Sequence, residues 1–425
     1  MPFGMSSAFG RVAKWKPQQA ALALAVLMVV TRWYKSLREE IRLAKSLDQK
    51  HPVFELWKKK SKALRDGYTP PALLSLGSKF VVGSIHTVVH NVLRRIKPVE
   101  EVHYDRELFE LECGGTVGID WALRCGSLHA EHKDSDAPIV LLHHGLTGCS
   151  KSHYVQSVIA KLLEEPDNLR VCVMVARGCG GIELTTPLGF TAHGYDDMRQ
   201  VVDHLKERNP NAKIYGVGFS LGAGLMANYI GRSGRDCKLS GAAVLSPSWD
   251  FSKTTSCFDI WSRKFLAANL KEYFEKNKAV VEQHEKIDFD KCMEAVTVRE
   301  FDTHAVVPAF GFKDVDHYYE TSSAISHAHE VHIPTLSFSA DDDPVCCIEG
   351  AENMEREKRL GPGLVIARTY RGGHVSWAEG ILGYDSFMDR LVVEWLRACR
   401  EHDKMAPSTA KPSSGDQAPP LTAST

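Results

Sequence analysis

At 425 residues, with 52 lysines and arginines against 53 aspartates and glutamates and 44% hydrophobic side chains, the chain has the make-up of an ordinary globular protein. Its length allows one large α/β domain with appendages or two small domains, and its near-neutral charge supplies no field to recruit nucleic acid or a strongly acidic partner. The 11 cysteines follow no CxxC spacing or regular framework and read as reduced thiols, mostly core filler, and no Asn-x-Ser/Thr sequon occurs.

The first predicted element is the wholly apolar run Ala20 to Val30, flanked by Lys14 and Lys16 on one side and Arg32 and Lys35 on the other, with Trp15, Trp33 and Tyr34 at its edges. It is shorter than the about 20 residues of a full membrane span, so a signal anchor, a cleaved signal or transit peptide and a buried helix all stay open. From about Phe109 short apolar runs alternate with amphipathic helical segments, the signature of βαβ units and a mostly parallel sheet. Phe109 to Leu111 and Val117 to Ile119 flank Gly114-Gly115 as a hairpin. Buried strands are expected at Ile139 to Leu142, Val171 to Val175, Ile214 to Gly218, Ala242 to Leu245, Thr335 to Phe338 and Leu364 to Ala367, with helices at Val155 to Leu163, Asp196 to Lys206, Leu221 to Ile230 and Ser386 to Ala398. The spacing breaks once, between Trp249 and Ile333, where many aromatics and no strand pattern point to a lid or to a helical subdomain that packs on the sheet. Beyond Met405 the Pro- and Ser-rich tail is expected to be disordered.

Gly218-Phe219-Ser220-Leu221-Gly222 follows one strand and opens one helix, the context that makes G-x-S-x-G a nucleophile elbow. No Lys-Ser/Thr follows these glycines, so a phosphate loop is discounted. An α/β-hydrolase fold needs an oxyanion loop before such a serine and an acid and a histidine after it, in that order. His143 to Gly148 (HHGLTG) closes an earlier strand and can aim the Leu146 amide at an oxyanion, with the Leu221 amide at the start of the next helix as second donor. Asp341-Asp342-Asp343-Pro344 follows the next-to-last strand, and Asp343 is taken as the acid, with Asp342 as the fallback and Asp341 at the strand end. Gly372-Gly373-His374 follows the last strand. Imidazole titrates near about pH 6.5, so His374 suits a base that takes the serine proton and returns it to the leaving group.

Other groupings are weaker. His327, His329 and His332 with Glu330, and His86 with His90, lack a complete metal set, and the H-x4-D string of His129 and Asp134 lies in a polar segment. Arg177 to Gly181 reads as a crossover loop near the site.

With these residues in place the chain resembles the AB hydrolase 4 family, that of the α/β-hydrolase domain-containing proteins 1, 2 and 3 and the yeast medium-chain fatty acid ethyl ester synthase/esterases. The likeness runs from about Tyr68 to Ala398. It is carried by Tyr68-Thr69-Pro70-Pro71, Gly83 to Thr87 (GSIHT), Gly114 to Trp121, HGLTG, ARGCGG from Ala176, GFSLG from Gly218, FGFKDVDHYY from Phe310, ADDDP from Ala340 and GGH from Gly372. It departs at Gly222-Ala223-Gly224, where the family commonly has Gly-Gly-Asn, and at Cys113, where an aspartate often stands.

The resemblance implies carboxylic ester hydrolysis on acylglycerols, phospholipids or small acyl esters, an N-terminal membrane anchor, and Ser220, Asp343 and His374 as nucleophile, acid and base. The expected fold is an α/β-hydrolase, a mostly parallel sheet with helices on both faces and a helical cap insertion. The expected organisation is an anchor or targeting segment over 1–38, a helical extension over 39–106, a hydrolase domain over 107–404 with its cap at about 250–332, and a tail over 405–425. The expected location is a membrane, through a single-pass anchor and with the endoplasmic reticulum as a candidate, or else an organelle reached by a cleaved peptide. The expected activity is that of a serine ester hydrolase on lipid-like substrates, needing no metal or organic cofactor. An acyltransferase passing the acyl group to an alcohol, and a non-catalytic ligand-binding protein on the same fold, are the alternatives.

Overall fold

The computed structural model describes residues 28, 37–45, 51–71, 79–96, 101–124, 135–166, 168–380 and 383–405. Its strands are β1 (Arg42–Lys45), β2 (Tyr104–Glu110), β3 (Thr116–Ala122), β4 (Ile139–His143), β5 (Arg170–Val175), β6 (Ile214–Phe219), β7 (Gly241–Leu245), β8 (Thr335–Ala340) and β9 (Leu364–Thr369). They form one sheet in the order β1-β9-β8-β7-β6-β4-β5-β3-β2. From β5 to β9 across that order the strands run parallel. At one edge β3 joins β5 antiparallel and pairs with β2 as the expected hairpin, and at the other β1 lies antiparallel to β9. That edge strand falls in the segment whose pattern announced only helices.

The parallel strands are near-continuous apolar runs because helices cover both sheet faces, and every residue of β4 to β9 is buried. Successive side chains alternate between two cores. Val140 and Leu142 pack with Val155, Phe338 and Trp395 on one face, and Ile139 and Leu141 with Met198, Val201 and Met226 on the other.

Before the parallel strands come helices α1 (Pro52–Lys60), α2 (Lys62–Asp66) and α3 (Lys79–Ile96), and within them α4 (His153–Leu163), α5 (Tyr195–Arg208) and α6 (Leu221–Ser233). Between β7 and β8 seven α-helices, followed by a 3-10 helix over Ala324–Glu330, make up the insertion: α7 (Phe251–Cys257), α8 (Ile260–Lys276), α9 (Lys278–Val281), α10 (Phe289–Glu294), α11 (Val298–His304), α12 (Val306–Phe310) and α13 (Val315–Ser322). Five of these have a side-chain N-cap, since Asp250, Asp259, Asp288, Thr297 and Asp314 each accept from the amide three residues on. Such caps satisfy donors that a helix start otherwise leaves without partners, which is how this stretch divides into short helices. The last helices among the described residues are α14 (Glu349–Arg356) and α15 (Phe387–Met405), and α1 is held on α15 by the edge-to-face pair Trp57 and Trp395, 5.1 Å between centroids.

One expectation is corrected. Among the described residues no helix is long and apolar enough to cross a membrane, which overturns the single-pass anchor. The longest helices are unsuited to hydrocarbon, since α15 carries Asp389, Arg390, Glu394, Arg397, Arg400 and Glu401, and α3 carries Lys79, Arg94 and Arg95. The run Ala20 to Val30, Met28 apart, lies outside the described residues, as do residues 406–425 of the tail, His129 and Asp134.

Candidate active site

Strand β6 ends at Phe219 and α6 begins at Leu221, so Ser220 alone makes the turn, with φ 53° and ψ −119°. A side chain in that region is strained and persists only where its surroundings hold it. The Ser220 amide donates to the Leu245 carbonyl at 2.9 Å, and its glycine neighbours leave no alternative packing. A Cβ on Gly222 would stand 2.3 Å from the His144 carbonyl oxygen, and one on Gly218 would stand 2.6 Å from Ala223 Cα.

The other expected residues converge on this serine from the carboxyl ends of the parallel strands. His374 lies in the loop after β9, its Nε2 2.8 Å from Ser220 Oγ and its Nδ1 2.9 Å from Asp343 Oδ2. Asp343 sits in the loop after β8, and its Oδ1 also accepts from the amides of Val345 and Cys346, both at 2.8 Å. With Nδ1–H donated to a carboxylate so held, Nε2 is left as an acceptor for the serine hydroxyl. The neighbouring aspartates point elsewhere. Asp341 pairs with Arg42 at 2.6 Å and Arg368 at 3.0 Å, at the strand end. Asp342 accepts from the Gly373 amide at 2.8 Å, and burial, aided by the Asp343 charge, pushes its carboxyl up to about 7.

Three anchors of the histidine loop escaped sequence reasoning. Thr87 on α3 accepts from the His374 amide at 2.8 Å while its own hydroxyl donates to the Gly83 carbonyl. Glu39 accepts from the Tyr370 and Arg371 amides and pairs with the Arg371 guanidinium at 2.9 Å. Ser246 accepts from the Val375 amide. The approach is close enough that a Cβ on Gly373, whose φ is +65°, would lie 2.6 Å from the Gly83 carbonyl oxygen. Thr87 and Gly83 belong to the GSIHT run, so a signal existed, but nothing in the sequence pattern placed it over His374.

The loop after β4 is fastened from below. His144 donates from Nδ1 to the Gly145 carbonyl and accepts at Nε2 from the Ala176 amide, and burial depresses its imidazole to about 4, so it stays neutral. Tyr154 OH accepts from the Gly145 amide at 2.9 Å. Leu146 in this loop and Leu221 at the start of α6, where amides lack intrahelical acceptors, line the same cavity as Ser220.

That cavity spans about 920 Å³, open solvent at its mouth included, and most of its wall is apolar and comes from the insertion, including Leu270, Phe274, Phe301, Phe310 and Tyr318. Tyr273 joins the insertion to the Arg177–Gly181 turn, its hydroxyl donating to the Arg177 carbonyl at 2.9 Å. Gly224, in the region that departs from the family pattern, faces the Phe251 ring, another cavity residue. One polar exception is Asp302 on α11, which accepts from Tyr319 OH at 2.9 Å and whose carboxyl burial pushes up to about 7. The remaining histidine groupings do not reach the cavity: His86 and His90 are buried behind the histidine loop, where Ser376 contacts both, and His329 and His332 pair with Glu330.

A mostly parallel sheet of this order, with Ser220 at the turn after β6 and the loops of Leu146, Asp343 and His374 gathered beside it, defines an α/β-hydrolase. The family model described as "Serine aminopeptidase, S33" matches residues 134–362. Among curated proteins, "Protein abhd-3.2" of Caenorhabditis elegans is 30% identical over 74% of this chain and 81% of its own length. "Phospholipase ABHD3" of Mus musculus is 31% identical over 71% and 73%, and "Medium-chain fatty acid ethyl ester synthase/esterase 2" of Saccharomyces cerevisiae 30% identical over 62% and 65%. The chain belongs to the AB hydrolase 4 family that these proteins share, and it is an ester-hydrolysing enzyme.

Proposed function

We propose that the substrate is a lipid-like carboxylic ester, an acylglycerol, a phospholipid or a medium- or short-chain acyl ester, cleaved through an acyl-Ser220 intermediate. The observation that carries this reading is the 2.8 Å contact between His374 Nε2 and Ser220 Oγ, with Ser220 lining a largely apolar cavity. Ser220 Oγ attacks the acyl carbonyl as its proton passes to His374 Nε2, and the Leu146 and Leu221 amides hold the oxyanion. His374 then protonates the departing alkoxide, leaving the acyl group on Ser220. Water gives its proton to His374 and its oxygen to the acyl carbon, and the serine regains its proton. Asp343 keeps the imidazole oriented and stabilises it when charged. The cavity wall excludes water from the acyl chain, which favours apolar acyl groups over charged ones.

The names of the relatives, a phospholipase and an ester synthase/esterase, support the same substrate class. The second of them also supports interception of the acyl-enzyme by an alcohol, which product analysis with added alcohol separates from hydrolysis. A fluorophosphonate probe tests the central claim: the wild-type chain labels and Ser220→Ala does not. Folded wild-type protein that neither labels nor cleaves any short-chain or acylglycerol ester would sink it.

A further inference from the structure

Cys257, the last residue of α7, stands against Cys347 and Glu349, and the two sulfurs and a carboxylate oxygen all lie within 4.8 Å of one another. Cys347 sits two residues before Glu349, the first residue of α14. A position beside a helix N-terminus favours thiolate, the form that binds metal. Burial opposes this most strongly, and with the adjoining Cys257 it holds the Cys347 thiol above its ordinary range. A cation would reverse that balance, because thiolate ligation and proton loss are one equilibrium.

We propose that Cys257, Cys347 and Glu349 form a binding site for a soft divalent cation of the zinc class, with its fourth position open to water. Two thiolates and a carboxylate suit tetrahedral zinc, and the sulfurs exclude magnesium and calcium as the preferred ions. Zinc–sulfur bonds of about 2.3 Å place two thiolates about 3.8 Å apart in a tetrahedron, so the two sulfurs, within 4.8 Å of each other, close by about an ångström at most. Cys257 and Glu349 are exposed, which gives the ion a path and the shell a water. On binding, each cysteine releases its thiol proton to solvent as its sulfur–metal bond forms, so one cation enters and two protons leave.

The site joins two segments that flank the cavity. Phe251, Thr254 and Thr255 of α7 line it, and so do Val345 and Cys346 in the loop that carries Asp343. The Asp259 amide already approaches the Pro344 carbonyl at 3.4 Å. A bound cation fastens the insertion to the Asp343 loop, and the site stands whatever ester the enzyme cleaves.

Cobalt(II), added to the full chain kept reduced by a phosphine and free of oxygen, is the probe. The expected result is a sulfur-to-cobalt charge-transfer band that saturates at one ion per chain and is displaced by zinc. Cys257→Ser and Cys347→Ser each reduce that band and weaken zinc binding at least about tenfold, the low end of what losing even an indirect ligand contact costs. Glu349→Gln keeps the band and weakens binding. Unchanged near-ultraviolet circular dichroism shows that the variants fold. Absence of the band at stoichiometric cobalt, or a band of full size in Cys257→Ser, overturns the proposal. So does wild-type protein that binds no cobalt when reduced yet links Cys257 to Cys347 as a disulfide with hydrogen peroxide, which would make the pair a redox couple.

Discussion

The Thr87 hydroxyl accepts the amide hydrogen of His374 at 2.8 Å, although 287 positions separate the two residues. A helix outside the parallel sheet therefore sets the backbone of the loop that carries His374. The histidine backbone has φ and ψ of its own to satisfy, and Thr87 removes one of its ways to move.

Replacing Thr87 by alanine leaves that amide without its acceptor, at about 1–3 kcal/mol for a buried donor. If part of this falls on the transition state, turnover drops about 3- to 30-fold with KM little changed. Thr87→Ser keeps the oxygen and should keep most of the rate. Steady-state kinetics of both variants on one ester decide the matter, and a Thr87→Ala enzyme with wild-type kcat would leave Thr87 with a packing role only.

The acid assignment separates cleanly by two conservative variants. Asp343→Asn should lose about 10⁴ in kcat, the scale on which an amide in this place misorients the imidazole. Asp342→Asn retains an oxygen for the Gly373 amide and should stay within about tenfold of wild type. Comparable losses in the two would mean that Asp342 takes part in the same proton relay.

Asp302 makes stability depend on pH in a direction opposite to that of a salt-bridged carboxylate. Its carboxyl moves from 3.8 to about 7 on folding, because burial outweighs the hydrogen bond from Tyr319. Between these values the folded state holds a proton that the unfolded state has lost, so this contribution to stability is full below about pH 4 and disappears as pH rises through about 7. Asp342, raised in the same way, adds to the slope. Denaturant unfolding at pH 5 and pH 8 should show wild type losing more stability than Asp302→Asn, by up to a few kcal/mol. Equal losses would show that Asp302 does not change its protonation on folding.

The glycines around the elbow should divide by what they face. Gly222→Ala drives a Cβ into the backbone of the His143–His144 loop and should prevent folding or abolish activity. Gly224→Ala meets the Ser248 carbonyl at 3.2 Å and the Phe251 ring at 3.3 Å, and the ring can yield into the cavity. The second variant should fold and lose rate mainly on the bulkier acyl esters. A series of p-nitrophenyl esters of increasing chain length reads this, and a uniform loss across the series would place the effect on Ser220 instead.

Much of this molecule was legible because its signals are local. The buried strands appear as unbroken apolar runs, since both faces of the sheet are covered, and the elbow, the HGLTG loop, the aspartate run and the GGH loop each stand directly after one of them. Strand β1 was not legible, because four edge residues that pair on one side only carry too little hydrophobic pattern to be told from helix or loop.

The sequence by itself determined the order of the chemistry-bearing loops, because chain order and strand pattern are properties of neighbours along the backbone. Only the tertiary structure decided which aspartate meets His374, that Glu39 and Thr87 hold its loop, and that Asp302 lies in the cavity wall. It also brought Cys257 to Cys347 and Glu349. Each of these depends on the direction of one side chain across a gap of many residues, which is fixed by the packing of α3 and the insertion over the sheet edge and leaves no periodicity to read.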